Sequence, residues 1–265
     1  MHRTRTPLLT WFWAAFWMTA HKPGLSALQL QNMLGLARYE TAWLILHKLR
    51  RAMVNADREP LKGTVEVDET FVGGGQLGLR GGRQIKGRKA LMVAVAVEVR
   101  GVGSGGCRAE VIEDGTARTL SRFIIANIEQ GSAVLSDGYR GYLGQHGVAA
   151  EGYRHLPRTQ ENFRTAGTED VMPHAHRAIS HLKAWLLGTH RGVGADQLHV
   201  YLDEFVFRWN RRRSPMAGFQ TLLGLGTHHE PTTYEEILGR AAGGAPRARG
   251  RKTGLTARRQ LHTSQ

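Results

Sequence analysis

The N-terminal part of the chain carries apolar residues at helical spacing. The aromatic stretch TWFWAAFWMTA predicts a first, buried helix. Ser26 is a typical N-cap residue for a short second helix, which breaks at Gly35. A longer third helix is expected from about Arg38 to Met53. Its apolar stripe consists of Ala42, Leu46, Leu49 and Met53.

The second and third helices are joined by a glycine-containing turn, and the third helix has a basic end. This arrangement is typical of a helix-turn-helix, whose second helix enters the major groove of DNA. An ordinary helical hairpin is the alternative interpretation. The helix-turn-helix interpretation predicts DNA contacts from Arg38, Lys48, Arg50 and Arg51.

From Gly63 the pattern changes to that of extended strands. Strands are predicted over TVEVDETFVGG, LMVAVAVEV and CRAEVIED, followed by a helix over TARTLSRFIIANIEQG and a fourth strand that breaks at Gly138. After an irregular stretch from Gly144 to Pro173, two helices should pack against the sheet, HRAISHLKAWLLGTH and ADQLHVYLDEFVFRWNRRR. The pattern therefore predicts an α/β fold with a mixed sheet flanked by helices, preceded by a small all-α region.

These patterns divide the chain into three predicted parts. Residues 1–58 form the helical N-terminal region with the helix-turn-helix, and residues 59–239 form the α/β domain. Residues 240–265 form a basic tail rich in Gly, Ala, Pro and Arg, without an acidic residue or an apolar period. Such a composition buries too little apolar surface to fold, so we expect a disordered tail.

The charge of the chain favours a polyanion as its partner. The 265 residues include 36 lysines and arginines against 22 acidic residues, a formal net charge of +14. Nucleic acid is the first candidate. Seven of the positive charges lie in the tail, which amounts to half of the net +14. A flexible arm of this kind can hold phosphates without sequence preference.

Cysteine usage and the N-terminal stretch bear on the compartment. The chain has one cysteine, Cys107, which excludes intrachain disulfides and cysteine-based zinc clusters. The aromatic N-terminal stretch is unlike an export signal, and it is shorter than the roughly 20 residues that span a bilayer. We therefore expect a cytoplasmic, nucleoid-associated protein that does not contact a membrane.

Two acidic residues are candidates for chemistry. Asp68 interrupts a valine-rich strand, where an unpaired carboxylate is costly to bury, although a salt bridge on an edge strand is the alternative. Asp137 follows the strand AVLS at a glycine-broken turn, a strand end at which α/β proteins place functional groups. The pair would suit Mg²⁺ or Mn²⁺. Two such ions, about 3.5–4 Å apart, can activate an attacking water or hydroxyl and stabilise the leaving oxygen in phosphoryl transfer.

A third ligand is expected from the helix HRAISHLKAWLLGTH. At about 100° per residue, His181 lies with His174 and Trp185 at one edge of the apolar face. From this edge its side chain can point towards the end of the sheet. Lys183 falls on the opposite edge and is better placed to reach a phosphate. A solvated or structural histidine is the alternative interpretation of His181.

The blocks VEVDETFVGG, SDGYRGY, HRAISHLKAWLLGTHRG and YLDEFVFRWNRR, in this order, resemble the core of bacterial insertion-sequence transposases of the ISXO-like group. The resemblance runs from about Pro7 to about Arg213. It implies a ribonuclease-H-like catalytic domain that nicks DNA at the ends of the element. The freed 3′ hydroxyl is then joined to target DNA with the help of a divalent metal.

The resemblance also implies roles for particular residues. Asp68 and Asp137 match the first two acidic ligands of the family. The third position is Asn, Glu or His followed by a lysine, and His181 with Lys183 in SHLK matches that pattern. Glu204 in YLDEF is the substitute candidate for the third ligand.

The chain departs from the family at one point, which bears on its function. Family members commonly carry a cysteine-rich zinc ribbon before the helix-turn-helix, whereas only MHRTRT precedes the aromatic helix here. The ribbon is therefore expected to be absent or lost by truncation. The leading hypothesis is a transposase that acts on double-stranded DNA, at element ends and target, as a homodimer or larger assembly. The alternatives are an inactive or regulatory DNA-binding protein derived from a transposase, and a related nuclease that cuts without joining.

Overall fold

The computed structural model describes residues 4–54, 58–73, 90–158, 170–228 and 234–238. The predicted basic tail and most of the glycine- and arginine-rich loop that follows Gly73 lie outside these residues. Residues 1–231 form one compact unit, and residues 232–265 form a second. The domain boundary expected at residue 58 stays a prediction.

The chain opens with three helices: α1 (Leu8–Ala20), α2 (Ala27–Leu34) and α3 (Tyr39–Ala52). Their predicted positions are confirmed. Ser26 caps α2 through a reciprocal capping box with Gln29, and Gly35 ends this helix in the left-handed conformation, with φ 59°. The three helices share an apolar core that includes Met18 and Leu46.

A mixed sheet forms the centre of the α/β part. It contains β1 (Thr64–Val72), β2 (Leu91–Arg100), β3 (Gly103–Ile112), β4 (Ala133–Ser136) and β5 (Arg154–Pro157). The five strands lie in the order β3-β2-β1-β4-β5. The pairs β1–β2 and β2–β3 are antiparallel, whereas β1–β4 and β4–β5 are parallel. The predicted α/β class with a mixed sheet is confirmed.

The fifth strand lies in the stretch that the sequence predicts to be irregular, so that expectation is wrong for these residues. β5 has four residues at the edge of the sheet and is mostly exposed. A strand of this length at an edge buries little of either face, so it leaves no alternation of apolar and polar residues to detect.

Both faces of the sheet are covered by helices: α4 (Ala117–Asn127), α5 (Pro173–His190) and α6 (Leu198–Asn210). Side chains of β2 alternate between the two faces, as a strand requires. Ala94 and Ala96 belong to the core under α4, whereas Val93 and Val95 belong to the core under α5 and α6. The expected packing of the two C-terminal helices on the sheet is confirmed.

Two further helices lie beyond those that the pattern predicts: α7 (Pro215–His228) and, within the second unit, α8 (Tyr234–Ile237). α7 packs against α1, where the rings of Phe16 and Phe219 meet edge to face at 5.7 Å between centroids. In the described part of the chain, no helix combines the length and apolar character needed to cross a membrane.

Candidate active site

Asp68 and Asp137 lie side by side, on β1 and directly after β4. The parallel pairing of these strands runs to Glu66 opposite Leu135. Asp68 and Asp137 each follow two residues beyond that pair, and they are close enough for the carboxylate of Asp137 to raise the pKa of Asp68. Neighbouring strands are about 4.8 Å apart, a separation at which two carboxylates can share one ion.

The environment of Asp68 is short of positive charge. Its side chain keeps 15% exposure, and its Oδ1 accepts a hydrogen bond of 2.8 Å from the backbone amide of Glu69. Burial raises the pKa of Asp68 and the carboxylate of Asp137 raises it further, while His176 and Lys183 oppose that rise. A cation placed between the two carboxylates would relieve the cost of keeping Asp68 ionised. Asp137 is exposed to solvent, and its Oδ1 accepts a hydrogen bond of 2.9 Å from the amide of Tyr139.

The histidine that meets Asp68 is His176, in the first turn of α5. Its Nε2 lies 3.4 Å from Oδ2 of Asp68, and its Nδ1 lies 2.5 Å from Oδ1 of Asp170. A carboxylate on one ring nitrogen orients the imidazole and directs the other nitrogen, an arrangement common among metal-binding histidines. Sequence reasoning missed His176. Its spacing of seven residues from Lys183 places both on one side of the helix, and that signal could have found it.

His181 lies elsewhere on α5. Its ring packs edge-on against Trp209, with 5.8 Å between the ring centroids. It lines a cavity of about 790 Å³ together with Trp209 and Arg212. Lys183 opposes the rise in the pKa of Asp68, whereas His181 packs on Trp209 of α6. The structure therefore brings Asp68, Asp137 and Lys183 together and leaves His181 apart from them.

The substitute ligand Glu204 is enclosed in the protein. Its side chain is 0% exposed, and its Oε2 lies 2.7 Å from Nε of Arg50. Its other oxygen lies 3.5 Å from the guanidinium of Arg208. Both oxygens of Glu204 are thus paired with arginines, and the residue is not part of the site around the two aspartates.

The residues predicted to contact DNA differ in exposure. Arg38, at the start of α3, is exposed, and Lys48 and Arg51 are half-buried. Arg50 is 1% exposed, paired with Glu204, and has its guanidinium 4.0 Å over the ring of Tyr201. A guanidinium enclosed in this way cannot reach a phosphate without breaking a buried ion pair.

The donor set around Asp68 suits a hard cation that keeps open positions. Across the described residues, no three His, Cys, Asp or Glu side chains form a group able to hold a metal ion by themselves. Mg²⁺ is usually held by one or two carboxylates, with water and substrate phosphates completing its octahedron. Asp68, Asp137 and an oriented imidazole fit that incomplete kind of site.

The chain was compared with known protein families, structures and sequences. A model of the ISXO2-like transposase domain matches residues 60–210. The Mos1 transposase paired-end complex with left transposon end is similar over 87% of this chain and 83% of that chain, with 13% identity and a TM-score of 0.36. The simian T-cell lymphotropic virus intasome in complex with PP2A regulatory subunit B56 gamma is similar over 89% and 86%, with 14% identity and a TM-score of 0.33. Neither of these similarities bears on function. No curated protein sequence matches the chain significantly.

Proposed function

Because the chain belongs to the ISXO2-like transposase family, we propose that it cleaves DNA at the ends of an insertion sequence and joins the 3′ ends to target DNA. The reaction depends on divalent metal, Mg²⁺ or Mn²⁺. One observation carries this proposal: Asp68, on the central strand β1, contacts the oriented ring of His176, and the charges of Asp137 and Lys183 both act on its carboxylate.

Three side chains would hold the metal, one from each of three elements. Asp68 and Asp137 are the carboxylate ligands, and His176 is the third ligand in the place that the sequence assigns to His181. Histidine is a softer donor than a carboxylate, so its ring must be held in one orientation to serve a hard ion. Asp170 provides that restraint, because its carboxylate contacts Nδ1 of His176. His181 remains the alternative third ligand.

The chemistry divides between the metal and the protein. When bound at Asp68 and Asp137, divalent metal, two ions by analogy with other two-metal phosphoryl-transfer sites, would supply Lewis-acid activation of the attacking water or hydroxyl and charge neutralisation at the phosphate. Lys183 supplies a positive charge on the same side of α5 as His176 and would bind a phosphate oxygen. Asp68 is partly buried, and charge interactions at such a site are stronger than in bulk water because the effective dielectric is lower.

Double-stranded DNA is the proposed substrate, both as element ends and as target. Arg38, Lys48 and Arg51 on α3 would bind its phosphates in a helix-turn-helix arrangement. Arg50 supports this helix from inside the protein through Glu204. Strand transfer at two ends calls for two active sites, so we propose a homodimer or larger assembly on DNA.

A strand-transfer assay with Mn²⁺ or Mg²⁺ and DNA that carries the element ends tests the proposal. Asp68→Asn and Asp137→Asn should each lower the yield of joined product at least about a hundredfold. Glu113→Gln is the control, because Glu113 is 82% exposed and only weakly paired. Cleavage without joining by the wild-type protein would indicate a nuclease. Binding without cleavage would indicate a regulatory or inactive protein.

A further inference from the structure

Glu66 connects β1 to the first turn of α5. Its side chain is 1% exposed. Its Oε2 accepts hydrogen bonds from the backbone amides of His174 and Ala175, at 2.7 and 2.8 Å. Amides in the first turn of a helix have no acceptor within the helix, and the helix dipole favours a negative charge there. A carboxylate is thus held inside the protein by the beginning of α5.

This contact lies beside the candidate active site. Glu66 and Asp68 are two residues apart on β1, so their side chains project from the same face of the strand. His176 follows directly after the two residues whose amides Glu66 binds. The strand therefore contacts the same helical turn twice. The side chain of Glu66 binds the backbone of the turn, and the side chain of Asp68 meets the ring of His176.

We propose that Glu66 is a positioning residue, which sets the distance between Asp68 and His176 by holding the first turn of α5 against β1. Its importance for catalysis rests on the proposed function. Ser104 secures the same turn from β3, since its Oγ lies 2.9 Å from Nδ1 of the buried His174. Without Glu66 the turn keeps that attachment and loses the two hydrogen bonds that tie its backbone to β1, the strand that carries Asp68.

The two hydrogen bonds of Glu66 and its negative charge can be removed independently of each other. Both amides bind one oxygen, Oε2, so the carbonyl oxygen of a glutamine can accept the same two hydrogen bonds. Glu66→Gln therefore keeps the contact without the charge. Glu66→Ala removes the contact. Glu66→Asp shortens the side chain by one methylene and so moves the carboxylate away from the two amides.

The first experiment needs neither metal nor DNA. The imidazole ¹⁵N signals of His176 are recorded by NMR in the metal-free protein and assigned with His176→Ala. We expect Glu66→Ala and Glu66→Asp to shift these signals, and Glu66→Gln to leave them near their wild-type values. Ser26→Ala is the matched control, because it removes the cap of α2 and so weakens a helix N-terminus away from the site.

Wild-type signals in a folded Glu66→Ala or Glu66→Asp protein would overturn the proposal. So would an equal shift in Ser26→Ala, because the effect would then be one of general destabilisation. Glu66→Asp decides the question if Glu66→Ala fails to fold.

The second experiment measures Mn²⁺ binding from the electron paramagnetic resonance signal of the free ion. Loss of an orienting residue weakens metal binding by about 10- to 100-fold, so we expect at least about a tenfold loss in Glu66→Ala. Glu66→Gln should stay within about threefold of wild type, and Ser26→Ala should match wild type. If the wild-type protein binds no Mn²⁺, the proposed metal chemistry fails, and the ring signals of His176 still decide the role of Glu66.

Discussion

The Nε atom of Arg50 lies 2.7 Å from Oε2 of Glu204, and the two side chains are 1% and 0% exposed. This ion pair joins α3 to α6 across 154 residues of sequence. Charges removed from water are tolerated when they are paired and hydrogen-bonded, so the pair favours one way of docking α3 on α6. Arg50 is therefore a residue of the interface between the helical region and the sheet domain.

Removal of Arg50 should destabilise the protein strongly. Arg50→Ala leaves Glu204 buried with only the more distant Arg208, and we expect the free energy of unfolding to fall by about 3 kcal/mol. The double variant Arg50→Met, Glu204→Leu should lose less, since it removes both charges. Urea unfolding measures the effect. Arg118→Ala is the control at an exposed site on α4. If Arg50→Ala and Arg118→Ala lost equally little stability, the expectation would be contradicted.

The two histidines of α5 provide a matched pair for the third metal ligand. His176→Ala should lower both Mn²⁺ affinity and the yield of joined DNA at least about tenfold, because the ring that faces Asp68 is lost. His181→Ala should leave both within about threefold of wild type. Metal titration and strand-transfer assays measure the difference. The opposite order of effects would assign the ligand to His181.

His47 should make the protein sensitive to acid. Its ring is 0% exposed, stacks on Trp43, and has no hydrogen-bond partner for either nitrogen. Burial, reinforced by the charge of Arg50, lowers the pKa of His47 to about 3. In the unfolded chain the pKa lies near 6.5, so only the unfolded state takes up a proton between these values. The contribution of His47 to stability is complete above pH 6.5 and is lost as the pH falls towards 3.

The corresponding variant is His47→Phe, which keeps an aromatic ring and cannot bind a proton. Between pH 6 and pH 4 we expect its stability to fall less steeply than that of wild type, by up to about 1.4 kcal/mol per pH unit. Urea unfolding at a series of pH values measures the slope. His146→Phe, at an exposed position, should keep the wild-type slope. An unchanged slope in His47→Phe would show that His47 is protonated in the folded protein.

Gly24 is expected to tolerate no side chain. Its φ is +87°, and a Cβ there would collide with Nε1 of Trp185 and lie 2.9 Å from Nη1 of Arg208. Gly24→Ala should cost about 2–4 kcal/mol, from backbone strain and overpacking together. Gly63→Ala isolates the strain, because Gly63 has φ +80° and open space around its Cα. Thermal unfolding compares the two, and equal losses would mean that Trp185 moves aside freely.

Local signals were sufficient for α1 to α6 and for the two aspartates. Ser26 and Gly35 mark the ends of α2 through their own capping chemistry, which acts over a few residues. Asp68 and Asp137 are conspicuous because each carboxylate interrupts or ends an apolar strand. Both features depend on neighbours in sequence, so the pattern could predict them.

The remaining features depend on contacts that are distant in sequence. The basic end of α3 resembles a solvated, DNA-facing surface, and only Glu204, 154 residues away, shows that Arg50 is buried. Helical periodicity places His176 and His181 on different sides of α5 without indicating which side meets Asp68. That choice is made by the docking of the helix on β1, to which Glu66 contributes.

The contact between Glu66 and His174 spans 108 residues of sequence, so the candidate site can be completed only late in the synthesis of the chain. A ribosome must release β1, β4 and the first turn of α5 before the two aspartates and His176 can meet. On the proposed function, a nascent or prematurely terminated chain that ends before α5 would lack His176 and Lys183, and its metal site would be incomplete.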